Sequence, residues 1–253
     1  MMAEAVRVAL LGVVLACTAI AGPVTAAEEP SRYITTPWII APVRTLPGER
    51  TLAGGDFVLK QRLLPMGLAE LAGPVTMGKN RFEVGTQFFK AKTDGVAVYC
   101  RPYAPDDALV ACLLDRDTDG DFDEWFDVVS QTKGLPSVAQ KYTKKRKPVS
   151  EAAYRQVPVT SMIDEYFVAI ERRNYFNIYS RESFMVVFGR EGTIERLTAP
   201  VSFKSDEMPK QLTILGAVFT AVAERDGKMV VTVQRDMPVQ PFSVVKTTSY
   251  RFY

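Results

Sequence analysis

Apolar positions change their rhythm along this chain. Over residues 8–22 they form an almost unbroken run, which Pro23 ends. From about residue 57 onward they come in short clusters of aromatic and β-branched residues, separated by breaks bearing Gly, Asp and Pro. Such clusters favour strands, where branched and aromatic side chains pack well on a pleated surface. Residues 166–170, 175–179 and 184–188 are the clearest strand candidates. Residues 108–114 and 125–129 flank an acidic segment, and 212–223 and 228–234 flank a further turn. The turn signals are Thr93-Asp94-Gly95, Arg190-Glu191-Gly192-Thr193 and Glu224-Arg225-Asp226-Gly227. Glycine supplies the left-handed conformations that tight hairpins require. The pattern predicts an all-β fold, a mainly antiparallel meander closed as a barrel or folded as a sandwich. Little helix is expected outside the leading apolar run, beyond one short helical turn around residues 67–71. A last strand is expected over 242–253. Residues 55–60 and 85–90 share a pattern of Gly, a polar residue and an apolar strand ending in Lys. Two copies of that length do not establish a repeat.

The leading run has the layout of a secretory signal peptide over residues 1–26. Arg7 is its basic residue, Val24-Thr25-Ala26 its cleavage region, and Glu28 and Glu29 follow at once. Its apolar part holds about 15 residues, short of the roughly 20 that a spanning helix needs. Export to the periplasm or beyond is the expectation. A variant is a lipoprotein beginning at Cys17, which follows Val14-Leu15-Ala16 in a weak lipobox-like setting.

After the signal, residues 27–56 read as an extended lead-in, because Pro37, Pro42 and Pro47 exclude helix. Trp38-Ile39-Ile40 is its apolar knot and offers one short strand. Residues 57–140 form an N-terminal β part and 151–253 a C-terminal one, with a basic stretch at 141–150 between them. Residues 57–253 are expected to form one compact unit. The aromatic ending Ser249-Tyr250-Arg251-Phe252-Tyr253 supports a second reading, an outer-membrane-associated or membrane-inserted barrel.

Composition removes several kinds of chemistry. The chain has no histidine. That excludes Ser-His-Asp and Cys-His catalysis and histidine-ligated zinc. A formal net charge of +2 gives no basic excess for a nucleic-acid partner. No catalytic glycine or serine motif is present, so the chain reads as noncatalytic. A carboxylate-based hydrolase is the third reading, with no pair of acids singled out. Lys141, Lys144, Lys145, Arg146 and Lys147 form the strongest charge run. It reads as a solvated loop or as a weak contact for an anionic envelope surface, one that fades with salt.

Cys17 leaves with the signal, which leaves Cys100 and Cys112 as a pair in an oxidising compartment. A disulfide between them closes a short loop and stabilises by roughly 3 kcal/mol. Just after Cys112 stands Asp115-Arg116-Asp117-Thr118-Asp119-Gly120-Asp121-Phe122-Asp123. It resembles the first half of an EF-hand-type calcium loop. The resemblance covers these residues alone. It implies side-chain oxygens from Asp115, Asp117 and Asp119, a backbone carbonyl from Asp121, and a direct or water-mediated contact from Asp123. Position twelve departs from the pattern, since Phe126 stands where a bidentate Glu belongs. Glu124 or Asp127 are the nearest substitutes. Calcium is the expected ion, in a structural role on a hairpin.

Overall fold

The computed structural model describes residues 33–42, 48–102, 109–130, 132–141, 145–173, 181–197 and 199–244. The signal peptide, Cys17, the 175–179 cluster, Lys144 and the aromatic ending lie outside the described residues.

Strands make up nearly all of the regular structure. In chain order they begin with β1 (Tyr33–Thr35), β2 (Trp38–Ile40), β3 (Gly48–Leu52) and β4 (Phe57–Pro65). There follow β5 (Leu68–Leu71), β6 (Val75–Met77), β7 (Asn80–Phe82), β8 (Gln87–Ala91) and β9 (Ala97–Cys100). The acidic segment joins β10 (Leu109–Asp115) to β11 (Asp121–Val129), and β12 (Ala139–Lys141) and β13 (Lys147–Val157) come next. The rest are β14 (Tyr166–Arg173), β15 (Arg181–Arg190), β16 (Thr193–Arg196), β17 (Val201–Lys204), β18 (Lys210–Ile214), β19 (Ala217–Arg225), β20 (Lys228–Arg235) and β21 (Pro241–Phe242). All pairings are antiparallel, as the meander pattern predicts. Helical structure among the described residues is confined to two 3-10 turns, at Val159–Ser161 and Ser205–Glu207.

Six strands close into a barrel in the order β10-β11-β13-β5-β8-β9. Its lumen is packed. Tyr99 of β9 meets Tyr154 of β13 at 5.2 Å between ring centroids, and Phe88 of β8 meets Phe122 of β11 at 6.4 Å. None of these pairs sits on neighbouring strands, so the rings meet across the interior. The β6–β7 hairpin adds Val75, Met77 and Phe82 to the same cluster. The opposite face of the β8–β11 wall carries Phe89, Cys100, Cys112 and Phe126, packed with Ile34 and Val138.

Eleven further strands form a sandwich, and β1 pairs with β12 in a separate two-stranded sheet. A seven-stranded sheet runs β16-β15-β14-β4-β2-β21, with β17 also on β15. A four-stranded sheet runs β18-β19-β20-β3. The two share one core, in which Val58, Leu63, Ile170 and Phe184 meet Leu52, Phe219 and Val231. Trp38 joins barrel and sandwich: its ring lies 5.6 Å from Phe89 and 5.0 Å from Tyr166, and its indole N–H donates to the Pro136 carbonyl at 2.9 Å.

Three expectations change. The helical turn expected at 67–71 is strand β5, whose residues pair with both β8 and β13. The lead-in carries three strands rather than one, and β2 pairs with β4 and β21 inside the large sheet. The segment 212–223 is two strands, because Leu215 and Gly216 both take positive φ (48° and 76°) and fold it into a hairpin.

Candidate metal centre

The acidic segment is the turn of the β10–β11 hairpin. Leu113↔Trp125 and Cys112↔Phe126 fix its register, with Leu113 and Trp125 in the lumen. Asp115 ends β10 and is fully buried. A buried carboxylate needs hydrogen-bond donors, and Asp115 has three. The Thr118 amide donates to Oδ1 at 2.6 Å, the Gly120 amide to Oδ2 at 3.4 Å, and the Tyr154 hydroxyl to Oδ2 at 2.8 Å. The two amides reach back because Thr118 (φ 63°) and Gly120 (φ 98°) are left-handed. Gly120 takes that conformation without the Cβ clash that other residues suffer.

Asp117, Asp123 and Asp115 converge, with one carboxylate oxygen of each within 4.8 Å of the others. Asp123 is positioned by the Arg116 amide, which donates to its Oδ2 at 2.7 Å. Asp119 turns away and accepts the Asp121 amide at 2.9 Å. Asp121 pairs with Ala153 of β13. The structure thus brings together Asp115, Asp117 and Asp123, positions one, three and nine of the calcium-loop pattern, and leaves Asp119 and Asp121 outside that group. Phe126 is buried in the outer wall cluster. Glu124 is occupied by Arg116 and by Arg146, the latter at 3.0 Å. Asp127 is exposed, and partial desolvation raises its pKa against the opposing pull of Lys147.

Tyr154 carries no sequence signal, since it stands 39 residues from Asp115. Its ring stacks on Phe122 at 4.3 Å. Burial, and then its bond to Asp115, push the phenol well above the usual tyrosine range, so it remains a neutral donor. Burial raises Tyr99 as well. The barrel lumen therefore supplies an uncharged donor to the innermost carboxylate of the cluster.

The disulfide lies on the other face of the same wall. Cys100 and Cys112 are bonded, wholly buried and directly opposite each other on β9 and β10. Of the basic run, Lys141 ends β12 and Lys147 begins β13. Arg146 pairs with Glu124, the Lys147 ammonium lies 4.5 Å from the centre of the Trp125 ring, and Lys145 is exposed.

A trio of convergent carboxylates on a glycine turn, backed by amide and phenol donors, is suited to hold a hard cation through oxygen. No protein-family model matches the chain, no curated protein matches it in sequence, and no solved structure matches its fold.

Proposed function

We propose that this is an exported, noncatalytic β protein of the cell envelope, acting as a binding or structural module. In this reading calcium fixes its β10–β11 hairpin. The convergence of Asp115, Asp117 and Asp123 within 4.8 Å carries the reading. Like charges so close repel, and a divalent cation relieves the repulsion. The three would supply the first oxygens of a shell of six to eight, with backbone carbonyls and water completing it. The buried disulfide supports an oxidising destination. The basic run enters the reading as a weak contact for an anionic envelope surface.

The test is a thermal melt of the mature protein in millimolar calcium and then in excess chelator. At about twenty times a dissociation constant near 0.1 mM, calcium stabilises by about 2 kcal/mol, a rise of roughly 4–7 °C for a chain of this size. Asp117→Asn combined with Asp123→Asn should abolish the rise. An unchanged melting temperature in the unmutated protein sinks the calcium reading.

A further inference from the structure

We propose that the barrel wall carries a second site, built for a small anion with an apolar portion. A cavity of about 440 Å³ opens beside the β8–β9 hairpin, a size suited to small ligands. Met66, Lys90, Lys92, Val96, Ala97 and Thr118 contribute to its lining. The only charged residues in the lining are Lys90 and Lys92, and no carboxylate faces them there. Standing two residues apart on an extended segment, they point to one side of it. Among the described residues neither forms an ion pair. Two ammonium groups on one concave wall raise the local concentration of anions.

The backbone beneath them is fixed. The Lys90 amide donates to the Gly67 carbonyl at 2.8 Å, and the Lys90 stem crosses Gly67 so closely that an added Cβ would lie 3.1 Å from it. Glycine at 67 makes room for this lysine. Lys92 exchanges both backbone hydrogen bonds with Thr35 of β1, at 2.7 and 3.1 Å. Thr93 closes the hairpin by donating to the Val96 carbonyl. Both side chains are exposed, so their ammonium groups stay open to solvent and to a ligand while the strand fixes where their stems begin. Val96 and Ala97 add apolar surface to the lining, and Met66, half-exposed at 52 %, offers an adaptable thioether at the rim. The matching ligand has a carboxylate or phosphate head on a short alkyl body. A free metabolite and a lipid headgroup share that chemistry.

The site is separable from the metal reading, although Thr118 belongs to the acidic hairpin. The test is calorimetric titration of the mature protein with octyl phosphate, inorganic phosphate and octyl glucoside, run once with calcium and once with chelator. Octyl phosphate should bind at least about tenfold tighter than either control in one or both conditions. Lys90→Gln combined with Lys92→Gln should weaken it by about tenfold or more. Gly67→Ala, which displaces the Lys90 stem, should weaken it several-fold. Lys60→Gln should have no effect, since that lysine lies over the Phe167 ring, away from the cavity. Co-sedimentation with phosphatidylcholine vesicles doped with phosphatidate, sensitive to the same lysines, would assign a headgroup. Binding of soluble octyl phosphate alone would assign a free ligand. Octyl phosphate that binds no better than octyl glucoside in both conditions, or that ignores the double substitution, overturns the proposal.

Discussion

Two of the donors that Asp115 accepts come from its own hairpin, and the third comes from β13 across the barrel. The long-range bond is the one a single substitution removes, together with the Tyr154–Tyr99 hydroxyl contact. Tyr154→Phe keeps the ring on Phe122 and removes only the hydroxyl. A hydrogen bond to a buried carboxylate contributes about 1.5–3 kcal/mol, so the variant should lose that much in a urea melt. The five aspartates illustrate what one sequence can convey at this scale. Their spacing and Gly120 announce a curled acidic turn, and the turn is there. Which aspartates converge is decided by competition for backbone amides. Asp119 is captured by the amide two residues on, as short polar side chains often are. Tyr154 was illegible for a different reason, because its relation to Asp115 exists only once β11 and β13 have paired.

At the scale of elements, turn chemistry was the most readable signal. Asp226 and Gly227 both take positive φ (52° and 73°), and Gly95 and Gly192 do so in the other two hairpins. The two similar stretches also share a local form. Gly55 and Gly85 have φ of 91° and 82°, and the residue after each donates to a carbonyl three positions back. One then opens β4 of the sandwich and the other β8 of the barrel, so the likeness is of turns and not of domains. Leu-Ala-Glu-Leu of β5 favours helix locally, and pairing on both sides overrides that preference. The hairpin at Leu215–Gly216 was hidden by a leucine in a conformation leucine rarely takes.

Glu70 on β5 accepts from the Gln87 amide at 3.0 Å and pairs with Arg155 at 2.9 Å, which links β8, β5 and β13. The Gln87 bond first, and then Arg155, lower its pKa below the ordinary 4.5. Its contribution is therefore complete above pH 4.5 and lost as pH falls through the lower folded value. Glu70→Gln should flatten that acid limb in stability measured against pH. The Cys100–Cys112 bridge joins residues 12 apart. Its reduction, or Cys100→Ala with Cys112→Ala, should cost roughly 3 kcal/mol in denaturant unfolding.

For the molecule as a whole, the telling residue is Arg172. Glu171-Arg172-Arg173 and Arg181-Glu182 put charges at the ends of β14 and β15. In the fold, Arg172 is buried between the two sheets of the sandwich. Its Nη1 donates to the Leu52 carbonyl of β3 at 2.8 Å and to the Gly227 carbonyl at 2.9 Å, and its Nη2 pairs with buried Glu182 at 3.3 Å. Burial raises the Glu182 pKa and Arg172 opposes it. Arg172→Met strands that carboxylate and two carbonyls, and should cost about 3–5 kcal/mol. Adding Glu182→Leu should restore part of the loss, measured as a double-mutant cycle in urea.

The large sheet also sets Trp38 directly beside Phe242. A chain delivered N-terminus first, from ribosome or translocon, presents Trp38 and Ile40 to solvent long before that neighbour arrives. The strand β2 then waits with one flank open, a sticky edge that a passing chain can occupy. Completion of this sheet is a closing event, which only delivery of Phe242 permits. Any escort that shields β2 in the interval would keep Trp38 and Ile40 from foreign strands until Phe242 covers that flank.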